Sequence, residues 1–445
     1  MSSKLEKIIL NTENTMNFQA EELNDLIKKE SETVLNLLSK RGREIFFPKK
    51  GILSQSADAK GKKINATIGA AIEDDGSPMR LKSIEEKVMM DPSHIFPYGP
   101  SYGRPDIRQK WKEMLLEKNP TLSGKSISLP VVTSALTHGL SMTGYMFVNE
   151  NESIIIPDLF WGNYTLIFSN AYGAKLDTFR LYENNRLDIN SFKAKLSSAP
   201  PSKKIVLLNF PNNPSGYAPT GKEAAEIVST IKNAADKGSI ILVIIDDAYF
   251  GLVYEEGIET QSLFSYLCDI HEHVLAVKLD GPTKEDYVWG FRIGFITYGI
   301  KGGNQNLYSA LEAKTAGAIR GSISNASNLS QSLILKSYQS QDYKKEKQSK
   351  YELLESRYQA VRDTLSTNPD YAAMFTALPF NSGYFMCIKL KDGLDADKVR
   401  QLLLHKYDTG VISIKGIMRI AFSSVSVKDI PQMFENIYKA CRECA

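Results

Sequence analysis

The 445-residue chain has few cysteines, little net charge and no long hydrophobic run. Cys441 and Cys444 form a C-x-x-C pair, but a structural zinc site needs a second pair of ligands and none is nearby, so no metal is expected. A net charge of +3 without a basic stripe argues against binding to nucleic acid. No apolar run approaches the ~18 residues of a membrane-spanning helix, and residues 1–14 lack the layout of a signal peptide. We therefore expect a cytoplasmic protein without a membrane or nucleic-acid partner.

The hydrophobic fraction of 42% and the charged fraction of 24% are ordinary for a globular protein, and the length suggests two domains. Strand-like runs alternate with helical ones between residues 80 and 345, which predicts an α/β fold with a mostly parallel sheet covered by helices. The predicted strands include 153–156, 175–179, 204–208, 239–245, 274–279 and 293–297. Apolar spacing predicts an amphipathic helix over 19–40 and mainly helical structure over 326–365.

Lys284 is the most informative residue of the chain. It lies between two strand-like runs, and Gly290, Arg292 and Gly294 follow it at fixed spacing. A lysine amine can form a Schiff base with an aldehyde cofactor, while an arginine guanidinium can bind the phosphate of that cofactor. The spacing therefore favours a site for a phosphorylated aldehyde.

Two upstream segments strengthen this interpretation. Residues 209–216, with the sequence NFPNNPSG, predict a turn after an apolar strand, although an ordinary loop would have a similar composition. The apolar run 241–245 ends in Asp246, and a carboxylate at a buried strand end is costly unless it is paired. A protonated pyridine nitrogen would be a suitable partner. Ligands bind at the carboxyl edge of parallel sheets, where both segments are expected.

Taken together, these motifs resemble those of the fold-type I pyridoxal-phosphate aminotransferases of class I/II, and within them the aspartate aminotransferase branch. The resemblance extends from about Asn65 to Arg419 and rests on NNPSG, DDAY (residues 246–249) and K-x5-G-x-R-x-G (residues 284–294). It implies pyridoxal 5'-phosphate as cofactor and the transfer of an amino group between an amino acid and a 2-oxo acid.

The resemblance assigns the central cofactor roles residue by residue. Lys284 matches the Schiff-base lysine, and Asp246 matches the partner of the pyridine nitrogen. Tyr249 and Asn213 match the donors to the phenolic oxygen, and Arg292 matches the phosphate-binding arginine. Lys284, Asp246 and Tyr249 are thus the expected catalytic residues.

Three further segments would complete the cofactor site. Trp161, in the sequence Trp-Gly-Asn, matches the indole that stacks on the pyridine ring. Ala135 and Leu136 lie in a strand-to-helix turn whose N–H groups could cradle a phosphate, although the family usually has glycine at Ala135. Tyr98 resembles the tyrosine that reaches the partner subunit's phosphate, which implies a homodimer with shared active sites.

The expected substrate-binding residues are Arg419, Gly69 and Arg320. Arg419 and Gly69 match groups that hold the substrate α-carboxylate. Arg320 matches the arginine that binds a side-chain carboxylate from the neighbouring subunit, which would imply aspartate, glutamate or 2-oxoglutarate as substrates. A surface arginine at a helix end is the alternative. One position departs from the pattern: Gly281 stands where the family usually has a phosphate-binding hydroxyl, three residues before the lysine.

The family arrangement implies a large cofactor-binding domain at residues 80–345 and a smaller, discontinuous α/β domain made of residues 1–79 and 346–445. The N-terminal segment is expected to pack with the C-terminal part. Fold does not settle the reaction, so a lyase or decarboxylase of the same fold stays open. A regulator that uses this domain as a sensor would need a DNA-binding module, and the residues before Ile64 are too few and not basic enough for one.

Overall fold

The computed structural model describes residues 18–45, 90–197, 201–414, 416–425 and 427–445. Its α-helices are, in chain order, α1 Phe18–Glu30, α2 Glu32–Leu37, α3 Lys40–Glu44, α4 Pro105–Lys118, α5 Ala135–Phe147, α6 Ile189–Ser197, α7 Gly221–Asp236, α8 Leu263–Leu267, α9 Pro282–Glu285, α10 Gln305–Ser322, α11 Asn328–Tyr338, α12 Tyr343–Thr367, α13 Ala396–Lys406 and α14 Ile430–Cys444. Its strands are β1 Val131–Thr133, β2 Ser153–Pro157, β3 Lys175–Phe179, β4 Tyr182–Glu183, β5 Arg186–Leu187, β6 Lys203–Asn209, β7 Ile240–Asp246, β8 Val274–Asp280, β9 Gly294–Gly299, β10 Phe375–Ala377, β11 Met386–Leu390, β12 Ile412–Ile414 and β13 Ile417–Ile420.

A seven-stranded sheet forms the larger layer, in the order β1-β9-β8-β7-β6-β2-β3. Only β9 runs against its neighbours, so the sheet is mostly parallel as predicted. The strands β6, β7 and β8 are apolar on both faces because helices cover both sides of the sheet. In the pairing of β6 with β7, Asn209 lies opposite Asp246, so both strands end at the same edge.

A second, antiparallel sheet has the order β10-β11-β13-β12. The helices α13, α14 and the C-terminal half of α12 pack against it. Their shared core includes Val361, Met386, Met418 and Phe434, all almost fully buried. This smaller α/β unit and the helices α11 and α12 that lead to it agree with the prediction for the C-terminal part of the chain.

The N-terminal segment differs from its prediction in two respects. The single helix expected over 19–40 is three short helices, because Ser31 and Ser39 accept hydrogen bonds from the backbone of the next helix and begin α2 and α3. Its apolar residues, among them Ile27 and Leu37, belong to the core beneath the large sheet. Residues 18–45 therefore pack with the large sheet and not with the C-terminal part, while the other domain boundaries stay predictions.

Among the described residues, no helix is long and apolar enough to cross a membrane.

Candidate active site

A cavity of about 100 Å³ lies at the carboxyl edge of the large sheet. Four segments form its walls: the ends of β6 and β7, the first turn of α5 and the short helix α9 that follows β8. All the predicted cofactor residues except Tyr98 line it, together with Thr137, Tyr164, Asn209, Ala248 and Thr283. A larger surface groove, about 880 Å³, contains none of the predicted residues and borders residues outside the described ranges, so its size carries no argument for function.

Asp246 is the buried carboxylate of the cavity. The Tyr164 hydroxyl donates to its Oδ2 at 2.6 Å, and the Ala248 N–H donates to its Oδ1 at 3.1 Å. Burial raises the pKa of Asp246, while the Tyr164 hydrogen bond and the positive charge of Lys284 oppose that rise. A carboxylate in this environment would be stabilised by a cation placed in the cavity.

Lys284 supplies the amine of the same cavity. Its Nζ lies 5.2 Å from the centre of the Tyr249 ring. Burial lowers the pKa of Lys284, and the nearby charge of Asp246 partly opposes this effect. A lowered amine pKa increases the fraction of neutral, nucleophilic amine at a given pH.

The first turn of α5, which lines the same cavity, suits an anion. Ala135 begins α5 with φ of +62°, the left-handed conformation in which the family's usual glycine is unstrained. The N–H groups of the first helical turn have no partners within the helix and are oriented toward its N-terminal end. Arg292, also at positive φ (+55°), is exposed and lines the same cavity.

The presence of Gly281, where the family usually has a hydroxyl residue, has a steric explanation. A side chain there would place its Cβ 2.8 Å from the Ile293 carbonyl oxygen and 2.9 Å from the Gly294 Cα, both backbone atoms. The Leu136 side chain already lies 3.2 Å from the same position. The family's usual hydroxyl residue would therefore not fit this backbone, while the hydroxyl-bearing residues Thr137 and Thr283 line the cavity.

Arg419 extends from β13 of the smaller sheet toward this cavity. Its Nη1 donates to the Asn213 Oδ1 at 3.2 Å, and its guanidinium carbon lies 4.4 Å from the centre of the Phe385 ring. Its Nε is buried and has no hydrogen-bond partner among the described residues. Arg419 therefore retains a donor that a bound carboxylate could use.

Like Arg419, two further predicted residues among those described, Tyr98 and Arg320, do not line this cavity. Tyr98 is 72% exposed, and Arg320 is exposed near the end of α10, where its Nη1 donates to the Ser324 hydroxyl at 2.9 Å. Gly69 lies outside the described residues. The roles predicted for Tyr98 and Arg320 need a second subunit and stay predictions.

Sequence reasoning missed the residues that support Asp246. Tyr164 bonds the carboxylate directly, and the Asn209 side chain donates to the Asp246 carbonyl oxygen at 2.9 Å. Asn209 closes an apolar strand just as Asp246 does, and that shared position could have identified it. No spacing could have identified Tyr164, which is 82 residues from Asp246 in sequence.

Comparisons with known proteins agree with this fold. The chain resembles cytoplasmic aspartate aminotransferase of Caenorhabditis elegans, with 29% identity over 42% of this chain and 47% of that protein. It also resembles an aspartate aminotransferase cytoplasmic isozyme of Arabidopsis thaliana, with 26% identity over 53% of this chain and 58% of that protein. The matches span about half the length of these curated relatives.

Solved structures resemble the whole fold. An aminotransferase from Anaerococcus prevotii superposes with a TM-score of 0.69 at 22% identity, covering 96% of this chain and 97% of that one. A Thermus thermophilus aspartate aminotransferase mutant gives 0.63 at 16% identity, covering 91% and 99%. At these identities the likeness establishes the fold alone. The family model for aminotransferase class I and II matches residues 62–437, so the chain belongs to that family.

Proposed function

We propose that this protein is a pyridoxal 5'-phosphate-dependent aminotransferase that moves an amino group between an amino acid and a 2-oxo acid. The observation that carries the proposal is that Lys284 and Asp246 line one cavity together with Arg292 and the N-terminus of α5. An amine, a buried carboxylate and an anion site are the three groups that this cofactor requires.

The residues of the cavity fit the cofactor. Its phosphate would bind the first turn of α5 and Arg292, because backbone N–H groups and a guanidinium both suit that anion. Its pyridine nitrogen would bind Asp246, and a protonated nitrogen would offset the cost of burying that carboxylate. Trp161 would cover one face of the ring. When bound, the cofactor supplies an aldehyde that condenses with amines and a ring that accepts an electron pair.

The protein side chains would then manage protons and orientation. Lys284 would act as the general base that takes the proton from the substrate α-carbon, and then as the general acid that gives the proton back. Asp246, kept ionised, would hold the pyridine nitrogen protonated. Tyr249 and Asn213 would donate to the phenolic oxygen. Arg419 would bind the substrate α-carboxylate, and its buried Nε provides an unused donor.

The substrates would include a dicarboxylic acid such as aspartate, glutamate or 2-oxoglutarate. In this proposal Arg320 of each subunit binds the side-chain carboxylate in the other subunit's site, and Tyr98 binds the other subunit's phosphate. Both residues are exposed on the single chain, which is consistent with contacts across an interface. The protein would therefore work as a homodimer, and a two-fold axis would give both sites the same pair of contacts. Gly69 would contribute a backbone N–H to the α-carboxylate.

The decisive experiment locates the covalently bound cofactor. Holoenzyme is reduced with borohydride, digested and analysed by mass spectrometry. The cofactor mass should be found on the peptide that contains Lys284, and Lys284→Ala should lose the visible absorbance of the lysine-bound cofactor. A label on another lysine would overturn the proposed site.

A panel of amino acids then separates the reaction classes. For an aminotransferase, the visible absorbance of the bound cofactor should fall as a 2-oxo acid is released. Release of ammonia together with pyruvate would instead indicate the lyase alternative, and release of carbon dioxide would indicate a decarboxylase.

A further inference from the structure

Helix α12 connects the turn that carries Lys284 with the smaller sheet that carries Arg419. The helix has 25 residues, so it is roughly 37 Å long. Its first turns contact Glu285 and Asp286, the two residues that follow Lys284. Its later turns bury Tyr358 and Val361 in the core of the smaller sheet.

The contact with Glu285 is a buried ion-pair network. The Glu285 side chain is only 5% exposed, and it pairs with Lys118 of α4 and with Lys347 of α12. Lys347 Nζ lies 2.6 Å from Glu285 Oε1 and 3.1 Å from Asp286 Oδ1, so it bridges the two carboxylates. The two lysines together hold the pKa of Glu285 down, at about 2, against the effect of burial.

Asp286 is also buried, and it accepts hydrogen bonds from two tyrosines. Its side chain is 6% exposed, and the hydroxyls of Tyr338 and Tyr343 each donate to it at 2.7 Å. The Lys284 carbonyl oxygen itself accepts a hydrogen bond from the Tyr384 hydroxyl at 2.9 Å. Residues 284–286 are therefore held in part by side chains of α4, α11 and α12 and by the Tyr384 hydroxyl.

The other end of α12 is attached near Arg419. Arg357 Nη1 donates to the carbonyl oxygen of Ser423, four residues after Arg419. Tyr358 and Val361 belong to the same buried cluster as Met418 and Ile420, which flank Arg419 on β13. A displacement of the smaller sheet would thus move α12 with it.

We propose that Lys347 is a positioning residue for Lys284. Through Lys347, helix α12 couples the part of the substrate site that contains Arg419 to Lys284. The inference rests on the proposed function, because it assumes that Lys284 moves the substrate α-proton. Without Lys347, Glu285 and Asp286 would be two buried neighbouring carboxylates, and the described contacts would leave only Lys118 to balance them. Their repulsion and renewed hydration would shift the turn, and an ångström of misplacement can cost about 10²-fold in rate.

The test compares Lys347→Gln with Lys344→Gln as its matched control. Lys344 lies three residues earlier on α12, is 80% exposed and pairs with Glu117 on the surface. Using the amino acid that reacts best in the panel, Lys347→Gln should lower kcat by roughly ten- to a hundredfold with little change in KM. The deuterium isotope effect at the substrate α-carbon should increase, because proton transfer by a misplaced Lys284 becomes slower than the other steps. Lys347→Arg should restore most of kcat, and Lys344→Gln should behave as wild type.

Borohydride labelling of wild type and variants separates the possible failures. Absence of label on Lys284 in the wild type overturns the proposed function and this inference with it. Label on Lys284 in both proteins, with unchanged kcat and isotope effect in Lys347→Gln, overturns the inference alone. If Lys347→Gln does not fold, Tyr343→Phe removes one donor to Asp286 without removing a charge. It should lower kcat several-fold, and an unchanged kcat would contradict the inference.

Discussion

At the scale of single residues, the adjacent residues Asp246 and Asp247 make different contacts and are expected to have different roles. Asp246 ends β7 and faces the cavity with Tyr164 as its donor. Asp247 points the other way, into an ion pair with the fully buried Lys278, and accepts a hydrogen bond from the Ser262 hydroxyl at 2.5 Å. Alternation along a strand separates adjacent side chains in this way.

We therefore expect different consequences of the same substitution at the two positions. Under the proposed function, Asp246→Asn should reduce the rate of amino transfer by at least ~10²-fold, because a neutral amide would not keep the pyridine nitrogen protonated. Asp247→Asn should instead lower the stability, by roughly 1–3 kcal/mol, because Lys278 loses one of two buried carboxylate partners and keeps only Asp280. Steady-state kinetics and urea unfolding of both variants would distinguish these effects. A comparable rate loss in Asp247→Asn with none in Asp246→Asn would reverse the assignment.

At the scale of elements, Lys314 attaches the N-terminal helices to the large sheet. It lies in the middle of α10 with no exposed surface, and its Nζ donates to the backbone carbonyls of Arg43 at 3.1 Å and Ile45 at 2.9 Å. Burial lowers the pKa of Lys314 to about 7. The amine thus binds the backbone at the end of α3, and its burial makes the protonated form less favourable.

This environment predicts a pH dependence of stability. Between pH 7 and about 10 the unfolded chain holds a proton on this lysine that the folded chain has lost, so the free energy of unfolding should rise with pH in that window. The contribution of one group is at most about 1.4 kcal/mol per pH unit. Lys314→Met should remove this contribution, whereas Lys301→Met, at an exposed lysine, should keep it. Urea unfolding at pH 7 and pH 9 measures the difference, and equal slopes in the wild type and Lys314→Met would refute the prediction.

At the scale of the whole molecule, the cavity of one chain lacks two of its predicted groups. Tyr98 and Arg320 are exposed and do not line it. Under the proposed function, a second copy of the chain supplies both groups, and substrate choice becomes a property of the dimer. A surface role for Arg320, in which it bonds only Ser324, is the alternative.

Arg320→Ala tests substrate choice and assembly together. Loss of a buried, bidentate contact with a carboxylate should cost roughly 2–4 kcal/mol of binding. Dicarboxylic substrates should then bind about 10²-fold more weakly or worse, while alanine-like substrates should be unaffected. Kinetics with both substrate classes, together with sedimentation of the active enzyme, provide the measurements. Equal effects on both classes, or full activity as a monomer, would exclude the dimeric site.

Much of the fold could be predicted from the sequence because its signals are local. The apolar runs gave the central strands to within a residue or two, and Lys175–Phe179 was predicted with its observed bounds. The motif residues around Lys284 and Asp246 were expected at the carboxyl edge of a parallel sheet, where ligands bind, and they line one cavity there. The single helix predicted at the N-terminus was wrong, since two serine caps divide a continuous apolar pattern.

Contacts between distant segments were decided only by the tertiary structure. Tyr164 reaches Asp246 across 82 residues, and Lys347 reaches Glu285 across 62. Gly281 was an unexplained departure in the sequence, and the backbone of Ile293 and Gly294 supplies its steric reason. Periodicity and motif spacing predict the position of a residue within its own strand or helix. Which side chains meet across a cavity depends on how those elements pack, and a local pattern carries no information about that packing.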